Sequence, residues 1–210
     1  MGYYFDRSAN FVTYDCPKGG GTTFRAWLGY YNFGEANLKG DQDGYYLCEA
    51  AFSAKIAQLG CVIDWFKPFE NCERVCVKRD PVKRFLSCYN DKILKEGHLG
   101  RASVDTILDD FDRIQDGDLP HGPNTTYLWY HFAPQVLQFG SDREYYTHVF
   151  DISEVSTTYR EYLNDKWEID LPILHARNST KTDFDKVVLT EKQISRIEKI
   201  YEDDYTAGWF

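Results

Sequence analysis

The chain has 210 residues, with 24 basic and 33 acidic side chains for a formal charge of −9, and is 43% hydrophobic and 17% aromatic. That composition argues against intrinsic disorder, and the acidic balance argues against a polyanion binder working by bulk electrostatics. No apolar run approaches the ~20 residues that cross a bilayer, and the start MGYYFDRSAN lacks the regions of a signal peptide, so the expectation is one soluble, cytoplasmic domain over residues 1–210 with no membrane or nucleic-acid partner.

In chain order, Phe11 to Tyr14 reads as a short buried strand, followed by Cys16-Pro17-Lys18-Gly19-Gly20-Gly21-Thr22-Thr23 and then Phe24, Trp27, Leu28 and Tyr31 at helical spacing. A second helix is expected from about Tyr46 to Leu59 and a short strand over Cys61 to Ile63. Arg74 to Lys78 reads as another strand, and Pro81 sits at the first turn of a helix carrying Phe85, Leu86, Tyr89 and Ile93. From about residue 97 to 145 the pattern becomes an acidic amphipathic stretch, Val104 to Ile114, and a Gly/Pro-rich loop, Asp116 to Asn124, expected to form a lobe or lid. Thr147 to Ile152 reads as a strand, Glu154 to Leu163 as a helix, Leu171 to Asp185 as a loop, and Thr190 to Tyr205 as a capped terminal helix. Strands alternating with helices predict an α/β fold with a central parallel sheet flanked by helices on both faces. The six cysteines, Cys16, Cys48, Cys61, Cys72, Cys76 and Cys88, form no CxxC pair and are expected to be free thiols of a reducing compartment.

The strand, glycine loop and helix around residues 17–24 offer consecutive N–H groups, hydroxyls and a lysine at the positive end of a helix, which suits a phosphate. The plain alternative is a glycine turn with a helix cap. The loop is not a Walker A sequence, because Lys18 precedes the glycines instead of following them. Between Arg74 and Lys95 stand seven basic residues (Arg74, Lys78, Arg79, Lys83, Arg84, Lys92, Lys95) against Asp80 and Asp91, a local excess in an acidic protein. An exposed basic helix face would account for Lys83 and Arg84.

Pro17, Lys18, Thr22, Thr23 and Phe24, with Arg79, Asp80, Pro81, Arg84 and Ser87 in order and spacing, resemble the two nucleotide motifs of the sulfotransferases that use 3′-phosphoadenosine-5′-phosphosulfate (PAPS), most of all the carbohydrate O-sulfotransferases of the Golgi type. Weaker matches are His131-Phe132-Ala133-Pro134-Gln135, Tyr146 to Val155, His175 to Lys181, and the ending IYEDDYTAGWF. The resemblance implies a P-loop-like three-layer α/β fold and in-line transfer of the PAPS sulfuryl group to a hydroxylated acceptor, a small molecule or glycan, with PAP as product and no metal. It implies Lys18 as the cation at the leaving oxygen and Thr22, Thr23 and the N–H groups of Gly19, Gly20 and Gly21 around the 5′ end. It further implies Phe24 against adenine, and Arg79 and Ser87 on the 3′-phosphate with Arg177 or Lys181.

The general base stays open. Related enzymes use His or Glu between the two motifs, and no histidine lies between Lys18 and Arg79 here. The acidic candidates in that interval are Glu35, Asp41, Asp43, Glu49, Asp64 and Glu70; Glu49 is taken first, then His131, then Asp64, while His98, His121 and His148 read as surface or packing residues. Two other functions compete: a small-molecule kinase on a related fold, which lacks the Walker A Lys-Ser/Thr, and a non-catalytic module binding PAP or a sulfated ligand.

Overall fold

In the computed structural model, residues 2–6, 8–33, 69, 71–115, 123–174 and 187–210 are described. The helix expected at 46–59, the strand at 61–63, and the candidates Glu35, Asp41, Asp43, Glu49, Asp64, Glu70, His121, Arg177 and Lys181 lie outside them. The chain is mixed α/β and divides into two compact units, each drawn from separate stretches of sequence.

The first unit holds a sheet of four strands in the order β1 (Gly2–Asp6), β2 (Phe11–Asp15), β3 (Glu73–Lys78) and β4 (His148–Asp151). β2 and β3 run parallel, Phe11 opposite Glu73 and Tyr14 opposite Cys76, as expected for strands joined through a helix. β1 corrects the all-parallel expectation: it pairs antiparallel with β2, Gly2 opposite Asp15 and Asp6 opposite Phe11. Too few residues separate the two strands for a crossover, so only a hairpin can join them. Asp6 makes that turn, its Oδ1 accepting from Ser8 N at 2.9 Å, Ser8 Oγ at 2.7 Å and Ala9 N at 3.0 Å, while Oδ2 accepts from Trp167 Nε1 at 3.0 Å.

Phe11, Val12 and Thr13 on β2, and Val75, Cys76 and Val77 on β3, are all buried, the unbroken pattern of strands covered on both faces. Helix α1 (Gly21–Phe33) contributes Phe24, Trp27 and Leu28 to a core shared with Phe11, Val75, Phe150, Tyr159, Leu163 and Trp167. β4 ends in a capping box, Asp151 Oδ1 accepting from Ser153 N at 2.9 Å while Glu154 Oε2 accepts from Asp151 N at 2.7 Å. The helical run that follows is π-helical over Val155–Tyr159 and α-helical over Arg160–Trp167.

The second unit is helical and includes the loop Cys16–Gly19. Helix α2 (Pro81–Cys88) starts as its sequence predicts, with Pro81 in the first turn and Asp80 Oδ1 accepting from Lys83 N at 2.8 Å. It continues into a π-helical turn over Tyr89–Lys95. Helices α3 (Val104–Gln115), α4 (Pro123–Phe132) and α5 (Val136–Phe139) follow. At the C-terminus, α7 (Glu191–Ile200, numbering Arg160–Trp167 as α6) begins with the expected Thr190 cap and gives way at Tyr201 to α8 (Glu202–Thr206). Phe85, Ile93, Ile107, Leu108, Leu128, Phe132, Ile197 and Tyr201 form the core, so α3 and α4, from the stretch expected to be a lobe or lid, pack with α2 and α7. Among the described residues no helix is long and apolar enough to cross a membrane.

Candidate functional site

In the helical unit the two sequence motifs touch. Arg79 Nη1 donates to the carbonyl of Lys18 at 3.1 Å, joining the lysine of the glycine loop to the arginine at the end of β3. Lys18 adopts a left-handed backbone, φ 66°, and Gly19 N closes the turn on Cys16 O at 2.9 Å. The Gly19 amide is therefore engaged within its own turn. The amides of Gly20 and of Gly21, the first residue of α1, donate to no described residue.

Gly20 itself belongs to the sheet unit, has φ 91°, and serves as the helix start: its carbonyl accepts from Thr23 N at 2.9 Å and Phe24 N at 3.1 Å. A Cβ there would stand 3.2 Å from Ile152 Cδ1 and 3.3 Å from Val155 Cγ2, so both backbone angle and packing require glycine. Thr22 and Thr23 occupy the first turn of α1 and are half-buried. Phe24, expected against adenine, keeps only 7% exposure and packs its ring against Tyr4, Tyr159 and Trp167 in the sheet core.

Arg79 is held by its own backbone. Gln135, wholly buried, accepts from Arg79 N through Oε1 at 3.0 Å and donates to Arg79 O through Nε2 at 2.8 Å. Gln135 is anchored in turn by Asp204, whose Oδ2 accepts from Gln135 N at 3.0 Å and whose Oδ1 accepts from Val136 N at 2.7 Å. Burial pushes the Asp204 carboxyl up, against the pull of those two amides and of the Arg84 charge. The weaker sequence matches, HFAPQ and the terminal EDDY, thus supply the support that fixes Arg79.

The exposed basic face weighed as the plain alternative does not include Arg84. Lys83 is exposed, but Arg84 is 0% exposed, its Nε donating to Pro17 O at 3.1 Å and its Nη2 to His131 O at 3.0 Å. Burial disfavours its charge, yet Cys16, Tyr201, Cys88 and Asp204 around it shift the balance toward the protonated guanidinium. Cys88 donates to the same His131 carbonyl at 2.9 Å, and burial pushes its thiol up to about 11. His131 therefore contributes its backbone to this buried cluster, while its half-buried ring lies edge-on to Tyr130. Ser87, on α2, is half-buried, and its hydroxyl makes no hydrogen bond to a described residue.

Sequence reasoning missed Asp91. Its Oδ2 lies 2.9 Å from Lys18 Nζ, and although burial raises its carboxyl, the charge and hydrogen bond of Lys18, with Lys92 and Lys95 behind, hold it below the ordinary aspartate range. A signal was present: Arg84, Ser87 and Asp91 stand at i, i+3 and i+7, the spacing of one helical face. Chemically, the unit presents a cation, Lys18, and a guanidinium, Arg79, joined through one backbone contact, a pairing able to bind phosphate groups. Comparison with family models, with curated proteins and with solved structures found no match to the chain.

Proposed function

We propose that the protein is a PAPS-dependent O-sulfotransferase, built on a P-loop-like α/β scaffold and working in the cytoplasm, that passes the sulfuryl group to a hydroxyl of a carbohydrate-class acceptor. The observation that supports it is the Arg79–Lys18 contact, because the loop motif and the R-D-P-x-x-R-x-x-S motif meet although 61 positions separate the two residues. Exposed basic residues scattered on a helix would not produce that link.

In this scheme the acceptor oxygen forms a bond to sulfur as the bond from sulfur to the 5′-phosphate oxygen breaks, and the acceptor's proton goes to a general base among Glu49, His131 and Asp64. Negative charge grows on the departing PAP, so Lys18 acts there most strongly in the transition state. The Gly20 and Gly21 amides with the Thr22 and Thr23 hydroxyls serve the 5′ end. Arg79 and Ser87 serve the 3′-phosphate, with Arg177 and Lys181 as further cations. The scheme calls for no metal.

Side-by-side calorimetry with PAP, ATP and ADP, followed by transfer of radiolabelled sulfate from PAPS to a panel of glycans, tests it. Binding of PAP in preference to ATP with label on a glycan is the expected result. Preference for ATP overturns the nucleotide assignment, and PAP binding without transfer to any acceptor overturns the enzyme assignment in favour of a binding module.

A further inference from the structure

Lys18 is fixed at both ends within the helical unit. Its carbonyl accepts from Arg79, and its ammonium lies 2.9 Å from Asp91 Oδ2, with 13% of the Lys18 side chain and 22% of the Asp91 side chain exposed. An ammonium closed by a carboxylate offers little attraction to a second anion, because the carboxylate repels what the cation attracts. A phosphate that is to meet Lys18 must therefore displace Asp91.

The surroundings allow that displacement. Lys92 Nζ lies 3.6 Å from the same Asp91 oxygen and 2.6 Å from Glu96 Oε1, and Glu96 Oε2 lies 3.0 Å from His98 Nε2. Removing one partner from a partly buried carboxylate is costly when nothing else is near to neutralise it. Here Lys92, although its nearer partner is Glu96, stands beside the carboxylate and lessens that cost. Lys18 carries the longer and more flexible side chain of the pair, so it is the partner able to swing.

We propose that Asp91 is an exchangeable counter-ion: it holds Lys18 in the ligand-free protein and yields it to the 5′-phosphate of the nucleotide, while Lys92, shared with Glu96, stays beside the carboxylate. This rests on the nucleotide reading above and adds a positioning residue outside both motifs. Asp91 makes and breaks no covalent bond. It aims the ammonium before binding, and by competing for Lys18 it weakens the hold on PAP, which favours product release.

Calorimetry with PAP and with adenosine 3′-monophosphate, which lacks the 5′-phosphate, on wild type, Asp91→Asn, Lys18→Ala and the double variant provides the test. Asp91→Asn should bind PAP roughly three- to tenfold tighter than wild type, with no gain for the 3′-monophosphate and none in the Lys18→Ala background. A merely structural role for Asp91 predicts weaker binding of both ligands. Unchanged or weaker PAP binding by Asp91→Asn, an equal gain for both nucleotides, or a gain that survives loss of Lys18 overturns the exchange and leaves the sulfotransferase reading standing if wild type binds PAP. Binding of PAP by none of the four proteins overturns both. Should Asp91→Asn fail to fold, the Asp91 carboxyl carbon resonance of the wild-type protein gives the answer: it should move on saturation with PAP and stay in place with the 3′-monophosphate, and the reverse overturns the proposal.

Discussion

Arg79 reaches Lys18 through a side-chain to backbone bond, Nη1 to the carbonyl oxygen at 3.1 Å, and leaves the lysine ammonium to Asp91. Its own backbone is held separately by Gln135. Removing the Arg79 guanidinium therefore subtracts the proposed phosphate contact without undoing the support that Gln135 gives the backbone. Arg79→Ala should lose about 2 to 4 kcal/mol of PAP affinity, roughly thirtyfold to a thousandfold, with an unfolding midpoint near that of wild type. Ser87→Ala should weaken PAP less, since a neutral hydroxyl makes the weaker bond. Calorimetry and urea unfolding on the same samples check both statements, and wild-type PAP affinity in Arg79→Ala removes the 3′-phosphate assignment.

Lys18 should separate turnover from affinity. Lys18→Ala is expected to lower kcat by roughly a hundredfold or more, about 3 kcal/mol, with a smaller change in PAP affinity. Lys18→Arg should not restore the rate fully, because a planar fork places its charge differently from an ammonium. Steady-state kinetics with a fixed acceptor measures this, and a variant that keeps kcat while losing nucleotide affinity assigns Lys18 to binding alone.

Gln135 should matter to stability and to the site together. Gln135→Leu leaves the Arg79 N–H and C=O without their side-chain partner in a buried place, a loss of about 1 to 3 kcal/mol in unfolding free energy. Gln135→Glu should be at least as damaging, since it cannot donate to Arg79 O and sets a second carboxylate beside Asp204. Both variants should also weaken PAP. Stability equal to wild type in Gln135→Leu would show that the Arg79 backbone is held by other means.

Gly20 and Gly97 have positive φ, 91° and 74°, but only Gly20 has neighbours waiting for a Cβ, since nothing lies within 4 Å at Gly97. Gly97→Ala should meet backbone strain alone, about 1 kcal/mol. Gly20→Ala adds crowding against Ile152 and Val155 and should lose more, about 2 to 3 kcal/mol, with a correspondingly lower Tm.

Acid should destabilise the protein through carboxylates held below their ordinary values. Asp6 is one, lowered despite its burial by the Ala9 and Ser8 amides, the Ser8 hydroxyl and Trp167; Glu73, lowered by Lys166, Tyr162 and His148, and Asp91 are the others. At these positions the unfolded chain takes up protons more readily than the folded one, so their stabilisation is complete above the unfolded values and is lost as the pH falls through the folded ones. Asp204, raised by burial, works in the opposite direction. Urea midpoints measured downward from about pH 7 should fall below about pH 5, and Asp91→Asn should show a shallower fall.

What the sequence made legible was local. Short, mostly apolar runs gave β2 and β3, Asp80-Pro81 marked a helix start, and Thr190 formed the cap it announces. β1 escaped because five residues at the chain's beginning carry no helix-crossing pattern, yet its pairing decides that the sheet is mixed. Arg84 escaped because a charge on a short helix reads as solvent-facing, whereas here two backbone carbonyls receive it out of water. Asp91 escaped because its partner is 73 positions away, a separation across which no periodicity speaks. The motif residues Lys18 and Arg79 were visible as residue types; their contact was not.

The left-handed backbone at Lys18 sets chemistry against comfort. An L-residue with a side chain is strained at φ 66° by about 1 to 2 kcal/mol, and glycine would relieve it. A screen that selects for folding alone should therefore enrich Lys18→Gly over Lys18→Ala, and the enriched protein should melt higher than the alanine variant. Position 18 is thus a place where the backbone favours glycine, while the lysine that stands there supplies the ammonium paired with Asp91.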